Sequence, residues 1–168
     1  MDVAALLLDL YGRIPPLVDE ALDGLTADEL ATRPGGDGNS IGWLVWHLSR
    51  VQDHHVAELL DAEQLWATGP WAAALGLGAD SHNTGYGHSA ADVATIRPDG
   101  PGVLLDYFRA VDARTQDLLR GVTAAGLDRV VDRRWNPPVT LGVRLVSVAD
   151  DCLQHVGQAA YVRGLLGA

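Results

Sequence analysis

Residues 140–166 read TLGVRLVSVADDCLQHVGQAAYVRGLL, and this stretch decides the fold class. Inward-facing side chains recur here in alternating steps of four and three residues, the spacing of one face of an α-helix. We assign to this face Leu141, Leu145, Val148, Cys152, His155, Ala159, Val162 and Leu166. Thr140 is a favourable N-cap. The stretch therefore predicts one long amphipathic helix whose inward face includes the imidazole of His155.

The same periodicity predicts three further helices upstream. Their expected bounds are residues 2–24, Asn39 or Ser40 to about Asp61, and about Val103 to Leu119. We expect Pro15-Pro16 to disturb the first of them locally, because each proline removes an amide donor. Residues 62–100 are rich in Gly, Pro and aromatic residues, which predicts a long crossing with short helical turns. Residues 127–139 are expected to be extended and irregular.

Four amphipathic helices predict an all-α fold, a four-helix bundle with a long crossing connection between helices 2 and 3. A chain of 168 residues is long enough for a substantial core and fits a single domain over residues 1–168. The sequence leaves the oligomeric state open between a monomer and a homodimer.

The composition excludes several classes of partner. The formal net charge is −10, and all twelve basic residues are arginine, so an interaction with nucleic acid is disfavoured. No apolar run approaches the roughly 20 residues that span a membrane. The start, Met1-Asp2-Val3-Ala4, has an acid where a signal peptide has basic charge. We expect a cytoplasmic protein without nucleic-acid or membrane partners.

Three residues form a candidate metal site. Asp151 and His155 are four residues apart, one helical turn, and can present an oxygen and a nitrogen to the same point. A third ligand must then come from another helix, and His47 in Trp46-His47-Leu48 is the candidate. Two histidines and one carboxylate, with positions left for water or substrate, are typical of catalytic metal centres. Burial of Asp151 among apolar residues also requires a partner, which a metal ion supplies.

Two neighbours compete with Asp151 as a ligand. Asp150 is rotated by about 140° from His155, whereas Asp151 is rotated by only about 40°, so Asp151 is preferred. Cys152 shares the helix face of His155, and thiolates bind zinc well. An unpaired cysteine on an apolar face is more often a small buried hydrophobe, and we favour that interpretation.

The chain resembles the DinB-like superfamily, metal-binding four-helix bundles that include thiol-dependent transferases and mycothiol-dependent maleylpyruvate isomerases. The most specific similarities are Trp46-His47-Leu48 and Asp151-x-x-x-His155-x-Gly157-Gln158. Residues 42–47 (GWLVWH) and 84–88 (TGYGH) more narrowly resemble the actinobacterial subgroup associated with mycothiol S-transferase activity. At the position of Asp151 the family most often has histidine, and the isomerase branch has glutamate.

The resemblance implies that His47, Asp151 and His155 bind a divalent metal ion, with zinc expected. It further implies a detoxification enzyme that transfers a low-molecular-weight thiol, mycothiol, to an electrophilic small molecule. The metal-bound thiolate would be the nucleophile, because coordination favours the charged form of a thiol.

Other residues are candidates for contacts with the thiol or the electrophile. Tyr86 and His88 lie in the long crossing beside Gly85 and Gly87, where they can belong to a substrate lid or merely pack over the end of the bundle. Arg144 lies two helical turns before Asp151 and can pair with a substrate carboxylate or form a surface salt bridge.

Three more polar residues lie near the predicted metal site. His54 is seven residues beyond His47, about 10.5 Å along the helix, where it can line a pocket mouth. Histidines in such positions are more often ordinary surface or core residues than parts of a site, and we favour that interpretation for His54 and for the adjacent His55. Gln158 can orient a metal ligand or form a hydrogen bond to a neighbouring helix.

Two alternative functions remain open at the level of sequence. The same ligands could activate water in a metal hydrolase, for which Asp53 or Asp150 would have to act as the base, or could support a thiol-dependent isomerisation. A non-enzymatic, metal-bearing binding module is the third possibility. Consumption of thiol with a panel of electrophiles separates the transferase from the others.

Overall fold

Four long helical segments form the framework of the computed structural model, which describes residues 1–168. Their helices are α1 (Val3–Gly12), α2 (Ile14–Leu22), α4 (Ile41–Leu60), α8 (Pro101–Arg120) and α9 (Leu141–Leu166). Helices α1 and α2 together make the first segment. Helix α4 packs against both α8 and α9, and α2 packs against α9. The predicted all-α four-helix bundle is confirmed.

The connections contain short elements. They are α3 (Ala27–Ala31), α5 (Leu65–Thr68), α6 (Trp71–Ala74), α7 (Ala90–Val93), β1 (Val130–Asp132) and β2 (Val139–Thr140), with 3-10 turns at Pro34–Gly36 and Ala124–Gly126. The long crossing between the second and third long segments is therefore built from single helical turns, as predicted. The structure contains no helix with the length and apolarity needed to cross a bilayer.

Side-chain caps start the predicted helices. Ser40 accepts a hydrogen bond from the amide of Trp43 at the start of α4, and Thr140 accepts one from the amide of Val143 at the start of α9. Each cap satisfies one of the amide donors that a helix leaves free in its first turn. The two helices that carry the candidate ligands therefore begin where the sequence predicted.

The structure refines three predicted elements. The first helix is divided at Arg13, which is the local disturbance predicted at Pro15-Pro16; both prolines occupy the first turn of α2, where a missing amide donor costs nothing. For the same reason α8 begins at Pro101, two residues before the predicted start. In the segment expected to be irregular, β1 pairs with β2 in an antiparallel hairpin. The loop of this hairpin, residues 133–138, reaches the functional site.

The inward face of α9 is also displaced by one residue near its middle. Val156 is fully buried next to Cys152, whereas the side chain of His155 is 18% exposed. His155 therefore borders the apolar face and does not belong to it. The imidazole of His155 is therefore only partly buried, at the edge of the core.

Candidate metal centre

The structure brings together the three residues predicted to bind metal. His47 is on α4, and Asp151 and His155 are on the adjacent α9. One ligand atom from each lies within 4.8 Å of the others. Asp151 Oδ1 is 3.5 Å from His155 Nε2, and the two imidazole rings meet edge to face at a centroid distance of 4.6 Å.

The backbone of the crossing sets the tautomer of His47. Its Nδ1 lies 2.5 Å from the carbonyl oxygen of Thr84, which can only accept a hydrogen bond. The proton is therefore on Nδ1, and Nε2 keeps its lone pair, as a metal-binding imidazole requires. Burial lowers the pKa of His47, which favours the neutral form.

His155 is oriented from its own helix. Its Nδ1 lies 3.1 Å from Gln158 Oε1, and its Nε2 faces Asp151. Burial opposes protonation of His155, but the hydrogen bond and the negative charge of Asp151, together with the bond to Gln158, raise the pKa overall. Gln158 thus makes the kind of contact expected of a residue that orients a ligand.

The carboxylate of Asp151 indicates that a cation fits between the three candidate ligands. Its Oδ2 is buried and has no hydrogen-bond partner. A buried oxygen without a partner is costly, and native structures contain few of them. Two imidazole nitrogens and one carboxylate oxygen form a donor set suited to Zn²⁺ and related divalent ions.

The two competitors of Asp151 lie elsewhere. The Asp150 carboxylate is exposed and accepts a hydrogen bond from Gln154. Cys152 is fully buried, with its sulfur beside Gln52 and the carbonyl of Leu48. Burial raises the pKa of the Cys152 thiol, which disfavours the thiolate that would bind a metal.

His88 contacts Trp43, which in turn packs against the candidate ligand His47. The indole of Trp43 stacks on His47 at a centroid distance of 4.6 Å, and its Nε1 donates a hydrogen bond of 3.1 Å to His88 Nδ1. His88 Nε2 donates to Asn83 Oδ1. Both ring nitrogens are therefore used within the protein, and His88 supports Trp43 behind the metal ligands.

A cavity of about 620 Å³ opens beside two of the three candidate ligands, His47 and Asp151. Its lining includes five histidine or arginine side chains, which come from α4, α9 and the loop between β1 and β2. The lining residues are His47, Val51, His54, His55, Thr84, Tyr86, Asp132, Arg134, Trp135, Arg144, Ser147, Val148 and Asp151. The predicted contact residues Tyr86 and Arg144 are among them, whereas His88 is not.

Arg144 forms part of a charged wall. Its Nη2 donates to Asp132 Oδ2 at 3.0 Å, and its Nη1 donates to His55 Nε2 at 3.2 Å. Arg134 binds the same carboxylate through Nε and Nη2. These hydrogen bonds, with the charge of Arg144, hold the pKa of Asp132 well below its usual range. Arg144 thus forms a salt bridge, as one of the two predicted roles has it, but the salt bridge is with Asp132 inside the cavity and not at the outer surface.

A second group of potential ligands is satisfied by arginines. His54, His55 and Glu58 also bring ligand atoms within 4.8 Å of one another. However, His55 Nε2 accepts from Arg144, and Glu58 forms a salt bridge with Arg134. His54 Nδ1 accepts from Gln64. The group therefore does not offer free ligand atoms comparable to Oδ2 of Asp151.

A buried arginine, which the periodicity of the sequence did not predict, anchors the crossing. Arg50 is fully buried one turn beyond His47 and donates to the backbone carbonyls of Asn83, Ser81 and Asp80. Its charge faces Asp53, 3.5 Å away. Because residues 80–83 lead directly to Thr84, Arg50 supports the segment that orients His47.

Comparisons with known proteins agree with this architecture. The family model described as Mycothiol-S-transferase matches residues 16–168. Among solved structures, the chain is similar to one described as the conserved protein of locus from Enterococcus faecalis. The sequences are 31% identical, the TM-score is 0.90, and the match covers 100% of this chain and 99% of that chain. No curated protein matches the chain.

Proposed function

Because the chain belongs to the mycothiol S-transferase family, as its motifs predicted, we propose that it transfers mycothiol to an electrophilic small molecule with the help of a divalent metal ion, for which zinc is the best candidate. We assign the ion to His47, Asp151 and His155. The observation that carries this assignment is the buried Asp151 Oδ2 without a partner, beside two imidazoles whose Nδ1 atoms face hydrogen-bond acceptors.

The residues of the site have distinct parts in this proposal. His47 presents Nε2 as a neutral ligand, because burial lowers its pKa and so favours the neutral form, and the Thr84 carbonyl favours the Nδ1–H tautomer. Asp151 contributes the negative charge that partly balances the cation. A divalent ion bound here with an open position would stabilise thiolate over thiol and so make the nucleophile available at neutral pH.

The cavity provides room for both substrates. A volume of about 620 Å³ is within the range of small-molecule sites. We propose that Tyr86, whose side chain is 92% exposed at this cavity, contacts the bound thiol or electrophile. His88 has a positioning role through Trp43. All these groups belong to one chain, and we propose that residues 1–168 act as a single domain.

A hydrolase has less support from the geometry. The base expected from the sequence would be Asp53 or Asp150. Asp53 is buried and accepts hydrogen bonds from the amides of Leu65 and Trp66 and from the Tyr107 hydroxyl. Asp150 does not line the cavity. Neither carboxylate is therefore in a position to accept a proton from water beside the three ligands.

The loss of free thiol in the presence of an aryl halide and several epoxides tests the proposal, with mycothiol and glutathione in parallel. We expect metal-dependent consumption that is faster with mycothiol. Asp151→Ala should abolish it, whereas Asp150→Ala, the matched neighbour, should not. Absence of metal-dependent consumption with any thiol would favour a binding module. Equal rates with both thiols would leave an S-transferase without preference for mycothiol.

A further inference from the structure

We propose that Arg144, Arg134 and Trp135 form a subsite for a carboxylate attached to a flat, conjugated ring. The electrophile of the proposed transferase would then be an aromatic or similarly conjugated carboxylate. The identity of this molecule as the electrophile rests on the proposed function, whereas binding of the carboxylate does not. All three residues line the cavity beside the metal ligands.

The two guanidinium groups retain hydrogen-bond donors. Arg144 uses two of its five N–H groups, one toward Asp132 and one toward His55. Arg134 uses Nε and Nη2 for Asp132 and Glu58, so its Nη1 donors make no hydrogen bond within the protein. The fork of N–H groups on a guanidinium matches the two oxygens of a carboxylate.

Asp132, the carboxylate that binds both arginines, has no free acceptor. Asp132 Oδ1 accepts from the amide and Nε of Arg134, and Oδ2 accepts from Nη2 of both Arg134 and Arg144. These four bonds fill the usual capacity of a carboxylate. A polyol needs acceptors as well as donors, whereas a carboxylate only accepts. The group of Arg134, Arg144 and Asp132 therefore offers free donors without free acceptors, which suits an anion.

The charges nearest the arginines favour the same ligand. Of the two carboxylates that line the cavity, Asp132 is bonded to both arginines, whereas Asp151 belongs to the candidate metal site. Glu58 also pairs with Arg134, but it lines neighbouring depressions and not this cavity. His55 accepts a hydrogen bond from Arg144 and adds no positive charge in that state.

Trp135 supplies the apolar part of the subsite. It lies in the loop between β1 and β2, and its indole is 65% exposed at the cavity. An exposed indole face can stack on a flat conjugated ring. Arg144 precedes Asp151 by seven residues on α9, about 10.5 Å along the helix. A ring held by its carboxylate at Arg144 would therefore extend toward the metal ligands.

Binding to the metal-free protein tests the subsite without requiring transferase activity. Calorimetry would compare benzoate, benzamide and myo-inositol as a polyol, with the indole N–H signal of Trp135 followed by NMR. We expect benzoate to bind at least about tenfold more tightly than benzamide, since charge-assisted bonds are stronger. Trp135→Ala should weaken binding of both aromatic probes.

Substitution of Arg144 provides the decisive comparison. Arg144→Gln should lower benzoate affinity by about tenfold or more. Arg109→Gln, which removes an exposed arginine paired with Asp19 outside the cavity, should not change it. Arg144→Lys keeps a cation beside Asp132 and serves if the glutamine variant does not fold. Equal affinity for benzoate and benzamide, undiminished benzoate binding in Arg144→Gln (or in Arg144→Lys, if the glutamine variant does not fold), or tighter binding of myo-inositol would overturn the proposal.

A second assay separates this proposal from the proposed function. With metal and thiol present, the ratio of kcat/KM for a carboxylated aryl halide to that for its neutral amide should exceed one, and Arg144→Gln should bring it toward one. Benzoate binding without any thiol transfer would support the subsite and contradict the transferase. Transfer to neutral electrophiles without benzoate binding would contradict the subsite alone.

Discussion

Gly85 lies directly against the imidazole of His47: a Cβ atom at Gly85 would come within 2.6 Å of His47 Nδ1. The φ angle of Gly85 is +91°, a conformation that favours glycine. The preceding carbonyl, that of Thr84, accepts the hydrogen bond from the same nitrogen. The first of the three candidate ligands is therefore oriented by the backbone of the long crossing.

Substitution of this glycine should weaken metal binding. In Gly85→Ala, the added methyl group collides with His47 and displaces the Thr84 carbonyl, so we expect a loss of about 10- to 100-fold in metal affinity. Gly87→Ala is the matched control, because Gly87 also has a positive φ but an added Cβ would meet nothing within 4 Å. Metal titration of both variants measures the difference. Equal affinities would mean that the crossing does not orient His47.

Loss of His155 should remove the ion. Protein purified without chelator should contain about one divalent ion per chain, and His155→Ala should contain little, because only His47 and Asp151 remain. His82→Ala removes an exposed histidine outside the site and should leave the metal content unchanged. Elemental analysis provides the measurement, and full metal content in His155→Ala would refute the assignment.

The residues around position 151 should differ sharply in their effect. Asp151→Ala should weaken metal binding far more than Asp150→Ala or Cys152→Ala, because of the three only Asp151 brings a ligand atom near those of His47 and His155, and it also has a buried oxygen without a partner. Metal affinity measured by competition with a chelator ranks the three variants. A larger loss in Cys152→Ala would instead indicate a thiolate site.

Replacement of Arg50 should destabilise the fold and expose the crossing. Arg50→Met removes the nearer of the two arginines that face the buried Asp53 carboxylate, leaving only Arg114 at 3.9 Å, and removes the hydrogen bonds to residues 80–83. Breaking a buried pair in this way costs about 3–5 kcal/mol. Urea denaturation measures the change, and limited proteolysis should cut first within residues 76–88. Arg13→Met, which breaks an exposed pair with Asp9, is the control and should cost less than about 1 kcal/mol.

His55 makes stability depend on pH. Burial, reinforced by Arg144 and His54 and opposed by Glu58, lowers the pKa of His55 from 6.5 to about 4. Between these values the unfolded chain binds a proton that the folded protein does not, so stability falls as the pH is lowered from 6.5 to about 4, by at most about 3 kcal/mol. In His55→Gln this part of the decline should disappear. Urea denaturation across that pH range tests it; an identical decline in the variant would contradict the assignment.

The sequence was most informative where one helix carried the whole pattern. Asp151 and His155 are separated by one turn of α9, so their proximity follows from helix geometry alone. The caps at Ser40 and Thr140 likewise act over three residues. The family motifs then identified His47 as their counterpart on α4.

The remaining parts of the site depend on contacts between distant residues. Arg50 meets the Tyr107 hydroxyl 57 positions away, and a charged residue in an apolar helix gives no sign of its partner. Periodicity also failed at His155, because steps of three and four residues fit Val156 equally well. The hairpin that carries Trp135 consists of strands of three and two residues, too short for a recognisable alternating pattern.

The crossing is held at its functional end through main-chain oxygens. Arg50 binds the carbonyls of residues 80, 81 and 83, and His47 binds that of Thr84. A carbonyl is present whatever side chain its residue has. The side chains at positions 80, 81 and 84, and that of the exposed Tyr86, can therefore change while these main-chain supports stay in place, whereas Asn83 also binds His88 through its side chain. Point mutations in the crossing could therefore alter the cavity lining of this chain without rebuilding the residues that we propose as metal ligands.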